Sequence, residues 1–224
     1  MLEKYHDNLR LKVFNYALIS DKENKRLKES LMEAMIFKNY KFCDNLVYEN
    51  LNIYNKNNAN KEPGLFPCTN HNRLVYYEFK KHTVIGNYPG LEVVTDDRQG
   101  FIVKAVLDIP AYTLICEYTG EVVPQRKVFF DNDNDSIMEL LKAPSSVDSI
   151  VIKPTKYCNI ARFISGINNY KSDSYKKINI CCIKLNIDCQ AHVILYSCRY
   201  IKSGEILYYD YNRGGYDYPT ENFI

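Results

Sequence analysis

Two hydrophobic periods divide this chain. In the first 57 residues, Leu9, Leu11, Val13, Phe14, Ala17 and Leu18 recur at near-helical spacing. Leu27, Leu31, Ala34 and Met35 do so again, with Lys and Glu between them. The pattern predicts two amphipathic helices, the second capped by Ser20 or Asp21. Such helices either pack on the domain that follows or form a hairpin for a partner. Residues 55–67 offer Asn, Lys, Pro and Gly with no apolar period and predict a linker. From Leu91 the period shortens. Residues 91–94, 101–103, 113–118, 150–152, 180–187 and 191–197 are β-branched and aromatic runs bounded by Gly100, Pro110 and Gly120. They predict a mainly β domain of many short strands. Residues 136–141 (Ser-Ile-Met-Glu-Leu-Leu) read as a short helix inserted among them. No internal repeat is present.

Composition narrows the function classes. The 224 residues are 46% hydrophobic, enough for one domain with a real core plus an extension. The net charge of +2 excludes a polycation, so any affinity for nucleic acid would need a local patch. No run of eighteen apolar residues occurs, and residues 1–10 are charged, so neither a membrane span nor a signal peptide is expected. A soluble intracellular protein follows. The eight cysteines form no C-x-x-C pair. Cys181 and Cys182 are adjacent, which in a strand sends them to opposite faces. The four histidines do not fall at finger-like offsets. Reduced thiols and no metal site are expected.

Chemistry concentrates in four places. Gly100-Phe101 follows Asp96-Asp97-Arg98-Gln99, either as a plain hairpin turn or as a turn that lets a ligand approach the backbone. Glu117-Tyr118-Thr119-Gly120-Glu121 ends a strand, with Tyr118 either in the core or at a site. Residues 159–164 place Asn159 and Arg162 inside an apolar run, which demands buried polar partners. Last comes Gly204-Glu205-Ile206-Leu207-Tyr208-Tyr209-Asp210-Tyr211-Asn212, with Tyr216, Tyr218 and Phe223 after it. An aromatic run of this density closes over something.

In this order and spacing the four motifs resemble the SET-domain protein lysine methyltransferases, over residues from about 91 to 224. Asp135-Ser136-Ile137-Met138, residues 162–169, and Tyr218-Pro219-Thr220-Glu221-Asn222-Phe223 are similar to the plant trithorax-related group, which monomethylates lysine 27 of histone H3. The resemblance implies small curved β-sheets around a pseudoknot, preceded by a helical segment. The boundaries are 1–57 for the helical segment, 58–90 for a linker or pre-SET-like region, 91–212 for the SET domain and 213–224 for a closing segment.

The same resemblance implies S-adenosylmethionine as methyl donor, with S-adenosylhomocysteine as product. Arg98, Gln99, Gly100 and Phe101 would hold its methionine end. Arg162, Phe163, Ser165, Asn168 and Asn169 would lie along it with Tyr118 and Tyr211, and Phe223 and Tyr218 would cover the adenine. The common pattern has a second Gly at Ile102 and Asn-His at Ser165-Gly166, and Asn168 is the candidate to compensate. Tyr211, Tyr209 and Tyr118 would be catalytic, with Tyr209 limiting the product to one methyl. Tyr118, Met138, Ile164, Tyr208 and Tyr209 would receive the substrate lysine, residues 136–141 forming one wall of the peptide groove. Asp131, Asp133 and Asp135 either steer a basic tail or form a solvated, helix-capping loop. The implied partner is the histone H3 tail on a nucleosome, met in the nucleus by a monomer, with no sequence-specific nucleic-acid contact and no membrane. The alternatives are another lysine, on a histone or elsewhere, or a SET-fold binding module without catalysis.

Overall fold

A computed structural model of the protein describes residues 9–62, 65–88, 90–128, 136–145, 148–212, 219–221 and 223. In chain order its elements are α1 (Asp21–Phe37), β1 (Lys41–Phe42), β2 (Val47–Tyr48), α2 (Leu51–Lys56), β3 (Phe66–Pro67), α3 (Asn70–Thr83), β4 (Leu91–Asp96), β5 (Gly100–Ala105), β6 (Leu114–Glu117), β7 (Glu121–Pro124), β8 (Met138–Leu141), β9 (Ile150–Lys153), β10 (Tyr157–Cys158), β11 (Ser165–Gly166), β12 (Ile180–Ile187), β13 (Gln190–Ser197) and β14 (Tyr208–Tyr209). The expected β-rich C-terminal half is present, and every strand run read from residue 91 onward contains a strand.

The sheets are small. One has the order β3-β12-β13-β6 and another β2-β7-β9-β8. The hairpin β4-β5 and the parallel pairs β1-β10 and β11-β14 complete the set. Three strands from the first 67 residues pair in parallel with later ones. Lys41 lies opposite Tyr157, Val47 opposite Glu121, and Phe66 opposite Leu185. The N-terminal segment is therefore woven into the edges of the domain rather than held apart as a hairpin. Covering edges in this way removes unpaired backbone groups that would otherwise recruit other chains.

Three expectations are corrected. Residues 9–18 do not form a helix. Leu9 and Leu11 are buried with exposed Arg10 and Lys12 beside them, an alternation of period two. Lys12 bridges to Thr113, and the Asn72 side chain satisfies the Leu11 N–H and the Leu9 carbonyl, at 2.9 Å each. Only a 3-10 turn, Tyr16–Leu18, is helical, and Leu18 faces solvent. Residues 136–141 do not form a helix either. Ser136 has φ +80, which no helix accepts, and Met138 and Glu139 pair antiparallel with Ile152 and Val151. The 58–90 stretch is more than a linker, because it contains α3. Thr69 caps this helix through the Asn72 N–H at 3.2 Å, and its buried face is Asn72, Tyr76, Phe79 and Thr83. The helix α1 stands where the second periodic run placed it. Its N-cap is Ser20, bonded to the Glu23 N–H, and Leu27, Leu31, Ala34 and Met35 are buried.

Candidate active site

The hairpin β4-β5 presents the first wall. The Asp96 carboxylate accepts the N–H groups of Arg98 and Gln99, each at 2.9 Å, and fixes the turn. Gly100 sits at φ +76 with open space around a notional Cβ. Its lack of a side chain serves the turn conformation. Arg98, Gln99 and Phe101 face a cleft of about 390 Å³, while Gly100 is not on its lining.

The second wall is the segment after β10. Asn159 caps the 3-10 turn Ile160–Phe163 by accepting the Ala161 N–H. This turn delivers Arg162 and Phe163 to the cleft, followed by Ile164, Ser165 and Gly166. Phe163 packs on Phe101 at 5.8 Å between ring centroids and on Tyr40 at 6.3 Å. The Arg162 guanidinium lies 5.8 Å over the Tyr40 ring and donates to the Ser136 hydroxyl at 2.5 Å.

The third wall is aromatic. β11 pairs in parallel with β14, Ser165 opposite Tyr208 and Gly166 opposite Tyr209. Beyond β14, the Tyr211 hydroxyl donates to the Ile164 carbonyl at 2.7 Å. Its ring lies 4.5 Å from that of Tyr209 and 5.6 Å, edge on, from that of Phe223. Tyr211 thus stands between Tyr209 and the cleft cover. Tyr118 belongs to the same cluster and donates to the Ser136 carbonyl. Burial, then the neighbouring phenols Tyr211 and Tyr118, push the Tyr209 hydroxyl well above the usual tyrosine range. Burial also raises Tyr118, against a smaller opposing pull from the Arg162 charge. Both are neutral phenols at physiological pH. The Tyr209 hydroxyl bonds to no described residue, while its carbonyl accepts the Ile167 N–H at 3.2 Å.

Two expected residues act elsewhere. The Asn168 side-chain amide donates to the carbonyls of Glu221 and Phe223, at 2.8 and 2.9 Å. The Asn169 backbone N–H donates to Thr220 Oγ1 at 3.1 Å, and its side chain donates to Asp210 at 2.7 Å. Neither side chain faces the cleft. Together they tie down the tail that carries Phe223. Tyr208 points away from Tyr209, as neighbours in a strand must, and its hydroxyl lies 3.5 Å from the Gln99 amide. Met138 is half-buried against the core, opposite Ile152. Tyr218, Asp131, Asp133 and Asp135 lie outside the described residues.

Lys38, Tyr40 and Gly166 carried no assigned site role in the sequence, and Ser136, expected on the peptide-groove wall, lines this cleft as well. Lys38 and Tyr40 come from the end of α1, Ser136 precedes β8, and Gly166 leaves space for Phe223. A buried polar cluster fastens the N-terminal segment behind this site. The Asp44 carboxylate accepts from Lys80 at 2.7 Å, Thr83 at 2.6 Å, Tyr88 at 2.5 Å and Asn159 at 2.7 Å. Lys80 also reaches Glu117 at 3.1 Å, and Glu117 accepts from Tyr76 at 2.9 Å and meets His192 at 2.7 Å. Burial alone would raise the Glu117 carboxyl. The charges of His192 and Lys80 and their hydrogen bonds instead hold it down at about 2. Asp44 thus anchors the cap of the Arg162 turn, and Glu117 immediately precedes Tyr118.

The small sheets, the walled cleft and the phenol cluster behind it define a SET domain. The SET domain family model matches residues 100–212, and the chain belongs to this family. It is 45% identical over 145 residues to the histone-lysine N-methyltransferase ATXR6 of Arabidopsis thaliana, a match covering 65% of this chain and 42% of the relative. It is 38% identical over 209 residues to a Ricinus communis protein named "Probable Histone-lysine N-methyltransferase ATXR5", covering 92% of this chain and 56% of the relative. These are plant trithorax-related proteins, and the chain spans only about half of their length. A crystal structure of ATXR5 in complex with histone H3.1 mono-methylated on R26 superposes with a TM-score of 0.88 at 35% identity, covering 96% of this chain and all of that one.

Proposed function

We infer that the chain is an S-adenosylmethionine-dependent lysine N-methyltransferase that adds one methyl group to lysine 27 of histone H3, at chromatin in the nucleus. The observation that carries this reading is the position of Tyr211, whose ring touches Tyr209 on one side and the cleft-covering Phe223 on the other. One phenol borders both the donor cleft and the acceptor cluster.

The cleft fits the methyl donor. It combines the cations of Arg98, Arg162 and Lys38 with the faces of Phe101 and Phe163 and a floor at Gly166 that has no side chain. The donor supplies a methyl group on a positively charged sulfur, and the chain supplies alignment and a suitable amine. A free lysine has a pKa of about 10.4. Enclosure among neutral, buried phenols, next to a positive charge, favours the uncharged amine. Fixing donor and acceptor in line contributes roughly 7–11 kcal/mol. The Tyr211 proton is engaged by the Ile164 carbonyl, so its oxygen keeps lone pairs for polarised C–H groups. The Tyr209 hydroxyl, which bonds to no described residue, is available to hold the amine or a water, which restricts realignment of an already methylated nitrogen.

The target rests on the relatives. They carry the name histone-lysine N-methyltransferase, and the ATXR5 crystal structure holds an H3.1 peptide modified at the residue before lysine 27. The test is methylation of recombinant nucleosomes and of an H3 peptide, with products mapped by mass spectrometry. Monomethyl lysine 27 is expected. Absence of methyl transfer sinks the enzyme reading, and methylation of another lysine sinks the target.

A further inference from the structure

Ser136 holds two groups from different parts of the site. Its hydroxyl accepts from Arg162 Nη1 at 2.5 Å, and its carbonyl accepts from the Tyr118 hydroxyl. Its backbone is at φ +80, a conformation that a residue with a Cβ rarely adopts unless its surroundings hold it there. Those two bonds help to hold it. The left-handed turn is what lets one residue offer its side chain to the donor cleft and its carbonyl to the phenol cluster.

We propose that Ser136 is a positioning residue that aims Arg162 into the cofactor cleft and couples that cleft to Tyr118. The inference rests on the methyltransferase reading above. Arg162 arrives on a short 3-10 turn and lies across the Tyr40 face, which leaves its terminal nitrogens to be oriented by acceptors. The Ser136 hydroxyl is such an acceptor and lines the cleft itself. Without it, the guanidinium loses the acceptor that fixes Nη1, and one of the cleft's cations is held less closely in register. The bond is charge-assisted, so its loss is expected to cost about tenfold in affinity.

The test is calorimetric titration of the full chain with S-adenosylhomocysteine, together with thermal melts. Ser136→Ala and Ser136→Gly both remove the hydroxyl, and each should weaken binding about tenfold. Glycine accepts φ +80 without strain, so Ser136→Gly should melt higher than Ser136→Ala while binding equally poorly. Asparagine tolerates the left-handed region and returns an oxygen acceptor, so Ser136→Asn should recover most of the affinity. Tyr118→Phe releases the Ser136 carbonyl. It should weaken binding about threefold in the natural chain and not at all on top of Ser136→Ala. Natural affinity in Ser136→Ala, failure of Ser136→Asn to recover, or additive losses with Tyr118→Phe overturn the inference. If the natural chain itself binds no S-adenosylhomocysteine, the methyltransferase reading falls and this inference falls with it.

Discussion

A Cβ placed on Gly166 would lie 2.6 Å from the ring of Phe223. The ring occupies the space a side chain would need, and a second contact at 3.0 Å comes from Tyr211. This accounts for glycine where the common SET pattern has histidine, because the tail ring fills that volume in its place. Gly166→Ala should push Phe223 off the cleft. The contact is with a ring at the end of a side chain that covers the cleft, so the melting temperature should move little while S-adenosylhomocysteine affinity falls about tenfold. An overpacking cost of roughly 1–3 kcal/mol then appears in binding instead of folding. Calorimetry and a thermal melt on the same sample check the pair of values.

If the proposed monomethylation holds, Tyr209→Phe should add dimethyl product to it. The substitution removes a hydroxyl that bonds to no described residue and leaves the ring contact with Tyr211 in place. Stability should change by less than about 0.5 kcal/mol. Mass spectrometry showing only monomethyl peptide from this variant would refute the role given to the hydroxyl.

Tyr211→Phe should lower kcat by about 100-fold or more, on the scale of losing one aligned polar group at a reacting centre. S-adenosylhomocysteine should still bind within about threefold, because the ring that supports Phe223 remains. Full turnover by the variant is the result that removes Tyr211 from the mechanism.

Asp44→Ala should destabilise the protein by roughly 3–5 kcal/mol, since it removes one of the two carboxylates that hold the buried Lys80 charge and takes an acceptor from Thr83, Tyr88 and Asn159. The expected consequence at the site is weaker cofactor binding in whatever fraction stays folded, because Asn159 caps the turn that carries Arg162. Urea unfolding and calorimetry read the two effects separately.

Acid should weaken the fold through Glu117. Its carboxyl is held at about 2 in the folded protein against an ordinary 4.5. The folded state therefore binds fewer protons than the unfolded one between those values. The stabilisation is fully present above pH 4.5 and is lost as the pH falls through that window. Glu117→Gln should be less stable at neutral pH and should show a flatter fall in melting temperature from pH 4.5 downward. An unchanged slope would remove Glu117 from the account of acid sensitivity.

The motif-bearing half of the molecule was legible because strand runs and site motifs coincide. Short apolar stretches bounded by Gly and Pro became strands, and Arg98, Phe101, Arg162 and Tyr211 reached one cleft. What escaped has physical causes. The buried face of α3 includes Asn72 and Thr83, so a count of apolar residues does not see it. Leu9 and Leu11 satisfy either period, and only the pairing of Lys12 with Thr113 decides between them. The run at 136–141 is too short for its period to be diagnostic, and φ at Ser136 cannot be read from residue type. Asn168 was expected along the cofactor because its motif lies there, yet its amide geometry serves the tail. Lys38, Tyr40 and Asp44 belong to no motif, and their tasks exist only once α1 is docked.

Because α1 ends at the cleft, the boundary suggested by the motifs is not the boundary of the machine. A fragment trimmed to the family match, residues 100–212, would keep Tyr118, Arg162, Tyr209 and Tyr211 and lose Arg98, Gln99, Lys38, Tyr40 and Phe223 from the cleft, together with three edge strands and the carboxylate that steadies Asn159. Expression work guided by motif boundaries alone would then assay a protein whose cleft is missing the wall that α1 supplies.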